Sequence, residues 1–354
     1  MRTVIAWVTA GGRHVHTVPE FTVDSPWWND VEPVTAHLDR LLGVPTHVLR
    51  LVSATGTGMR DGTVTYQVEA DWPDPSTVDP IDFPDDPLRL PWARPGGPAA
   101  LLAWADGHVR RVEPAVQVKT WNLSCLFRLR TKAGVVWAKE VPPFLAPEGP
   151  VLDLVRSADP SLAPTVLAAE GHRILLEDAP GTDCWSPTPE IVQDFVPRWV
   201  AMQNALAGPA RLRRRGVEVP SFGLPDTLLH GDFHPGNWRS GGAVLDWAEA
   251  HWGHPALDAA KLIDFVDPSL APLVTEVWCG SWLTHRPDSN PAAALAHARP
   301  AAHLLAARVY QEFLDNIEES ERVYHRGDPE EHLALAQSLS RSPAQSLADS
   351  TSTA

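Results

Sequence analysis

The segment LLHGDFHPGNW, Leu228–Trp238, places two histidines, an aspartate and an asparagine within a few positions of one another: His230, Asp232, His234 and Asn237. Three kinds of structure could use these residue types: a metal site, a phosphoryl-transfer loop, or a polar turn without function. Two zinc-binding histidines four residues apart normally lie on a helix, whereas a Pro-Gly pair directly after the second histidine indicates a loop. A histidine metal site is therefore disfavoured, and so is a metal-dependent hydrolase built on it.

A second aspartate, Asp246, follows Asn237 after a Gly-Gly turn and the apolar run Ala-Val-Leu. Phosphoryl transfer needs one carboxylate beside the attacking hydroxyl, to orient it and accept its proton, and oxygen ligands for Mg²⁺. Asp232 fits the first role, and Asn237 and Asp246 fit the second. We expect His230 and His234 to hold the loop in place by hydrogen bonds.

The segment HGDFHPGN…VLDWAEAHWGHPALDAAK resembles the aminoglycoside phosphotransferase and choline kinase-like families, which share the protein-kinase fold. The resemblance covers roughly residues 115–320 and includes Asp246 followed by tryptophan, and then a Gly-x-Pro-x-x-Asp segment that ends at Asp258. It implies that Asp232 is the catalytic base, that Asn237 and Asp246 bind Mg²⁺, and that Asp258 anchors the loop. It also implies ATP as the phosphoryl donor, with GTP as the alternative nucleotide.

The resemblance further implies a lysine on a strand for the α- and β-phosphates, and a helix glutamate that holds it. The run VVWAKEV supplies Lys139, on the same face of the predicted strand as Val135 and Trp137. Glu148, just before an apolar helical pattern, is the predicted partner, with Asp153 as the alternative.

Two further segments are predicted to contact the nucleotide. The loop between the first two strands of the small lobe, KTWNLSCLF, contains no glycine, and Asn122 and Ser124 are its candidate phosphate donors. The segment ILLEDAPG is predicted to be the hinge, where the backbone from Glu177 to Ala179 would meet adenine.

The short distance from Asp246 to Asp258 leaves little room for the segment with which a protein kinase docks a peptide. The predicted acceptor is therefore the hydroxyl of a small molecule, such as an aminoglycoside, an amino sugar or an amino alcohol. The alternative function is a catalytically silent kinase fold that binds a nucleotide and acts as a binding module. Candidate acidic residues for the acceptor pocket are Asp194, Glu249, Asp264, Glu312, Asp315 and Glu318.

The bulk composition is that of a globular protein of 354 residues, with 44% hydrophobic and 21% charged residues. The net charge of -15 disfavours a nucleic-acid partner. We expect no membrane association, since no apolar run reaches the roughly 18 residues of a membrane span. Three scattered cysteines, and a first segment that alternates like a strand, favour a cytoplasmic protein.

The elements that must position the reactive residues follow from hydrophobic periodicity. Residues 1–70 predict a small β-β-α-β-β domain, and residues 71–98, with eight prolines and six aspartates, predict an extended linker. Strand patterns dominate residues 99–178, and helical patterns dominate residues 179–340; the tail 341–354 is predicted to be disordered. The predicted fold class is α+β: a bilobal protein-kinase-like fold, with a β-rich small lobe and an α-rich large lobe, preceded by a small α+β domain.

Overall fold

The computed structural model describes residues 1–71 and 83–351; the rest of the predicted linker, 72–82, and the last residues, 352–354, lie outside the described residues. The chain divides into two compact units. The first contains Met1–Phe144, Val166–Asp178 and Phe313–Arg326, and the second contains Leu145–Thr165, Ala179–Glu312 and the residues from Gly327 onward.

The first unit begins with a four-stranded sheet and one helix, which confirms the predicted β-β-α-β-β order. The elements are β1 (Arg2–Ala10), β2 (Arg13–Val23), α1 (Glu32–Leu42), β3 (Thr46–Ala54) and β4 (Thr63–Ala70). The strand order is β2-β1-β4-β3, in which β1 and β4 are parallel and the other neighbours antiparallel. The helix α1 ends at Gly43, whose φ of 72° is the left-handed conformation that glycine adopts without strain.

A five-stranded antiparallel sheet forms the other layer of the first unit, and the helix α2 (Gly97–Asp106) packs with it. Its strands are β5 (Val116–Trp121), β6 (Ser124–Thr131), β7 (Gly134–Glu140), β8 (Val166–Glu170) and β9 (Arg173–Glu177), in the order β5-β6-β7-β9-β8. Alternate residues of β6 are buried, as a half-buried strand requires, whereas the last three residues of β7, Ala138, Lys139 and Glu140, are all buried. The edge strand β8 was not expected, since its sequence VLAAE has few residues of high strand propensity.

The segment Phe313–Arg326 belongs to the first unit although it lies far along the chain. It contains a 3₁₀ helix, Glu319–Tyr324, and Tyr324 joins the core of the four-stranded sheet. Just before this helix, Glu318 pairs with Arg50 of β3 at 3.0 Å and with Arg89 at 3.2 Å. All three side chains are buried, so this ion cluster fixes the segment against β3.

The second unit is mainly helical. Its elements are α3 (Glu148–Ala158), α4 (Pro189–Leu206), β10 (Thr227–Leu229), β11 (His251–Gly253), α5 (Ala256–Phe265), α6 (Ala271–His285), α7 (Pro291–Asn316), whose last turn belongs to the first unit, and α8 (Asp328–Thr351). The helix α8 thus continues into the segment that was expected to be disordered, where alanine, leucine and glutamine are compatible with a helix. Over the described residues, no helix combines the length and apolar character that a membrane span needs.

Candidate active site

The predicted reactive loop connects β10 to β11, which pair with each other antiparallel. His230 is buried at its start, where Nε2 donates to the carbonyl of Leu245 at 2.8 Å and Nδ1 accepts from the amide of Asp232 at 3.2 Å. Burial lowers the pKa of His230 to about 4, so the ring is neutral, as this pair of bonds requires. The prediction that His230 holds the loop by hydrogen bonding is confirmed.

The helix α5 anchors the same end of the loop through Asp258. Its carboxylate accepts from the amides of His230 at 3.0 Å and Gly231 at 3.2 Å, which confirms its expected role as an anchor. Gly231 has a φ of 86°, and a Cβ there would lie 2.4 Å from the carbonyl oxygen of Glu249. Glycine is therefore required for the loop to pack closely against the segment that follows Asp246.

An aromatic layer beneath the loop keeps its reactive side chains on the opposite side. Phe233 stacks on Trp199 at 3.9 Å between ring centroids, and Trp238 stacks on Phe195 at 4.9 Å. Phe195 and Trp199 are four residues apart on α4 and so share one face of that helix. The loop residue before Phe233, Asp232, remains 27% exposed.

The carboxylate of Asp232 contacts three side chains. His234 Nε2 lies 3.2 Å and Asn237 Nδ2 lies 3.3 Å from Oδ2, while Lys261 Nζ lies 2.7 Å from Oδ1. Burial alone would raise the pKa of Asp232, but the Lys261 ammonium and the His234 ring hold it well below its usual value. The structure thus brings the predicted Asp232 and Asn237 together and adds Lys261, which the sequence reasoning did not include.

A backbone hydrogen bond holds the chain just before Asp246 beside Asn237. The amide of Leu245 donates to the carbonyl of Asn237 at 2.8 Å. The apolar run before Asp246 forms a single β-bridge, Trp238 to Val244. Asp246 is exposed and has a φ of 63°, a left-handed conformation that aspartate tolerates better than most residues and that is enriched at functional sites. The next amide, that of Trp247, donates to Glu148 Oε1 at 2.8 Å, so the predicted Glu148 supports this turn.

The residues Asn237 and Asp246 fit a magnesium ion by the chemistry of their donor atoms. The Asn237 amide nitrogen donates to the Asp232 carbonyl at 2.9 Å, which directs the amide oxygen elsewhere. An amide oxygen and a carboxylate are hard ligands, and Mg²⁺ usually takes few protein ligands beside phosphate and water. Within residues 1–71 and 83–351, no three His, Cys, Asp or Glu side chains form a group that could hold a metal without such help.

The other predicted nucleotide residues lie mostly in the first unit. Lys139 is buried on β7, opposite Leu126 of β6, and Ser124 begins β6, where its hydroxyl accepts from the Trp121 indole at 3.1 Å. Glu177 ends β9, and the chain passes into the second unit directly before Ala179. The nucleotide contacts of these residues stay predictions.

The six acidic candidates for the acceptor pocket separate into two groups. Glu249 lies near Asp232, and burial, followed by the charge of Asp232, raises the pKa of Glu249 to about 7. Four of the others are held in ion pairs with arginines: Asp194 with Arg198, Asp264 with Arg299, Glu312 with Arg213, and Glu318, in the first unit, with Arg50. Glu249 is therefore the candidate that the structure places beside the reactive carboxylate.

One face of α5 contacts alternate residues of the loop. Asp258 holds the loop at His230, Lys261 pairs with Asp232, and Phe265 stacks on His234 at 4.1 Å. Helix residues three, four and seven apart share a face, so the spacing of Asp258, Lys261 and Phe265 was a signal available in the sequence.

Residues 198–299 match the family described as the phosphotransferase enzyme family. This segment includes the whole reactive loop and α5, so the resemblance inferred from the sequence is confirmed here. Together with the strands and helices above, the match confirms the predicted α+β, protein-kinase-like fold class. No curated protein sequence matches the chain.

Solved structures similar to the chain include three kinases or phosphotransferases. A choline/ethanolamine kinase family protein from Mesorhizobium loti is 14% identical, with 68% of this chain and 94% of that chain covered and a TM-score of 0.45. A macrolide 2'-phosphotransferase from Brachybacterium faecium is 15% identical, with 65% and 97% covered and a TM-score of 0.45. Aminoglycoside phosphotransferase APH(4)-Ia is 14% identical, with 69% and 99% covered and a TM-score of 0.46.

Proposed function

We propose that this protein is an ATP- and Mg²⁺-dependent phosphotransferase that moves the γ-phosphoryl group to a hydroxyl of a small molecule of the aminoglycoside, amino-sugar or amino-alcohol type. The observation that carries the proposal is the Asp232 carboxylate, ionised and half-buried in a loop whose backbone is fixed at both ends. We place the reaction in the cytoplasm, which suits the free thiols of Cys125, Cys184 and Cys279.

In the proposed reaction, the acceptor hydroxyl donates a hydrogen bond to Asp232 and transfers its proton there. The acceptor oxygen forms a bond to the γ-phosphorus, the bond from that phosphorus to the bridging oxygen breaks, and ADP leaves with the electron pair. Because the pKa of Asp232 is low, its carboxylate contributes to the rate of transfer more by orienting the hydroxyl than by its affinity for the proton. Mg²⁺, when bound by Asn237 and Asp246, would neutralise charge on the phosphates.

The short connection after Asp246 supports a small acceptor. Between Asp246 and α5 the chain forms one 3₁₀ turn, Trp247–Glu249, and the three-residue strand β11. Both elements are buried against the loop, and they supply no extended segment for a peptide to dock on.

Thermal unfolding with and without Mg·ATP tests the nucleotide site. Mg·ATP at about a hundred times its Kd adds ~2.7 kcal/mol to the free energy of unfolding. This should raise the wild-type Tm by at least about 2 °C. Asp246→Ala should remove most of this rise. Asp194→Ala, which changes an exposed carboxylate on α4, is the matched control and should respond like the wild type. The proposal fails if neither Mg·ATP nor Mg·GTP moves the wild-type Tm.

Asp232→Asn separates binding from chemistry, because asparagine keeps the shape but loses the charge and the proton acceptor. Transfer from Mg·ATP to an acceptor found by screening hydroxylated small molecules should fall by about 10²- to 10⁴-fold, while the Mg·ATP-dependent Tm rise remains. A rate in Asp232→Asn close to that of the wild type would contradict the assigned role of Asp232.

A further inference from the structure

Lys261 contacts the reactive carboxylate from outside the loop. It is one of four lysines among the 29 basic residues of the chain, and its Nζ lies 2.7 Å from Oδ1 of Asp232. An arginine would engage both carboxylate oxygens through its planar fork, whereas an ammonium is a point charge on a flexible stem. The residue type at this position therefore suits a cation that can change partners.

The backbone of the loop is held without Lys261. Asp258 binds the amides at its start, His230 binds the carbonyl of Leu245, and Asn237 binds the carbonyl of Asp232. The contact of Lys261 is made to the side chain of Asp232, the group that acts in the proposed reaction. Its effect is thus on the reacting groups rather than on the loop conformation.

The surroundings of Lys261 keep it charged. Burial alone would lower its pKa, but the carboxylates of Asp232 and Glu249 raise the pKa well above the usual lysine value. The cavity between this lysine, Glu249 and Tyr310 has a volume of about 30 Å³, which is room for about one water and too little for an acceptor. The acceptor would then reach Asp232 through the 27% of its side chain that is exposed, and the Lys261 side chain is 29% exposed.

We infer that Lys261 is a further catalytic residue, whose ammonium pairs with the oxygens of the transferring phosphoryl group when the acceptor hydroxyl binds Asp232. The inference rests on the proposed function. An acceptor oxygen hydrogen-bonded to Oδ1 at roughly 2.7 Å would lie at most about 5.4 Å from Nζ, since both atoms contact the same oxygen. A fixed cation so close to the transferring group stabilises the charge on its oxygens in the transition state. No covalent bond to Lys261 forms or breaks.

The test measures binding of a transition-state mimic, so it needs no known acceptor. Titration calorimetry gives the Kd for Mg·ADP alone and for Mg·ADP with aluminium fluoride, which imitates the transferring phosphoryl group. The wild type should bind the aluminium fluoride complex at least about tenfold more tightly than Mg·ADP. Lys261→Met should weaken that complex by on the order of 100-fold, the typical effect of one lost donor, with little change for Mg·ADP.

Two variants provide the controls. Lys261→Arg restores the positive charge and should recover part of the lost affinity. Lys132→Met, which changes an exposed lysine in the turn between β6 and β7, should behave as the wild type. If Lys261→Met does not fold, as judged by circular dichroism, Lys261→Gln replaces it.

The outcomes distinguish this inference from the proposed function. Equal loss of affinity for Mg·ADP and for the aluminium fluoride complex would assign Lys261 a merely structural role. Lys261 does not contact the phosphoryl group if Lys261→Met keeps the full increase in affinity that aluminium fluoride gives. The same holds if the wild type binds Mg·ADP but aluminium fluoride does not increase its affinity. In both cases the nucleotide site stands. If the wild type binds no nucleotide at all, the proposed function fails together with the inference.

Discussion

Two ion pairs of this protein contain the same types of charge in different surroundings. In the first unit, Arg50 and Glu318 are 8% and 6% exposed, and Arg50 also donates to Gln67 while Glu318 also accepts from Arg89. In the second unit, Lys261 and Asp232 are 29% and 27% exposed. The first pair is enclosed and multiply bonded, which suits a structural role. The second leaves its carboxylate partly exposed and pairs it with an ammonium on a flexible stem, which suits chemistry.

The largest expected effect on stability is at Glu318. Glu318→Ala leaves Arg50 and Arg89 buried without their shared carboxylate, and removal of one member of a buried ion pair costs about 3–5 kcal/mol. Urea unfolding should show a loss of this size.

The adjacent Glu319 provides the control for that experiment, since it is 70% exposed and pairs at the surface with Arg322 and Arg326. Glu319→Ala should change the free energy of unfolding by less than about 1 kcal/mol. Similar losses in the two variants would refute the distinction between an enclosed and an exposed pair.

The contribution of Glu321 to stability depends on pH. Burial, followed by the neighbouring Glu318 carboxylate, raises the pKa of Glu321 to about 8 from its ordinary 4.5, although the amide of Leu51 opposes this. A carboxyl with a raised folded-state pKa stabilises the fold below its ordinary pKa, and this stability is lost as pH rises toward 8. The wild-type Tm should therefore fall relative to Glu321→Gln between about pH 5 and 8. A Tm difference between the wild type and Glu321→Gln that stays constant across that range would show that Glu321 is ionised throughout.

The smallest expected effect on stability is at the reactive pair. Lys261→Met should lower the free energy of unfolding by less than about 1 kcal/mol, because both groups of the pair remain partly solvated and His234 still contacts Asp232. Urea unfolding in parallel with Glu318→Ala gives the direct comparison. A loss as large as that of Glu318→Ala would make Lys261 a structural residue.

The sequence predicts those parts of the molecule that depend on neighbours along the chain. The loop with Asp232 and Asn237, the N-terminal element order and the main helices follow from local spacing and periodicity. Local spacing places Lys261 on the same face of α5 as the anchor Asp258, but its pairing with Asp232 depends on how that face packs on the loop, which is a tertiary contact. The place of Phe313–Arg326 in the first unit likewise depends on Glu318 meeting arginines far away in the chain.

The match between one face of α5 and alternate residues of the loop has a consequence for protein engineering. Asp258, Lys261 and Phe265 meet their partners only at one rotation of the helix, and each inserted or deleted residue turns the following part of a helix by about 100°. A single-residue deletion between Asp258 and Lys261 would therefore misalign the contacts beyond it, whereas substitutions on the other faces would not. Transfer of this loop to another scaffold would require the helix to be transferred with it, in the same register.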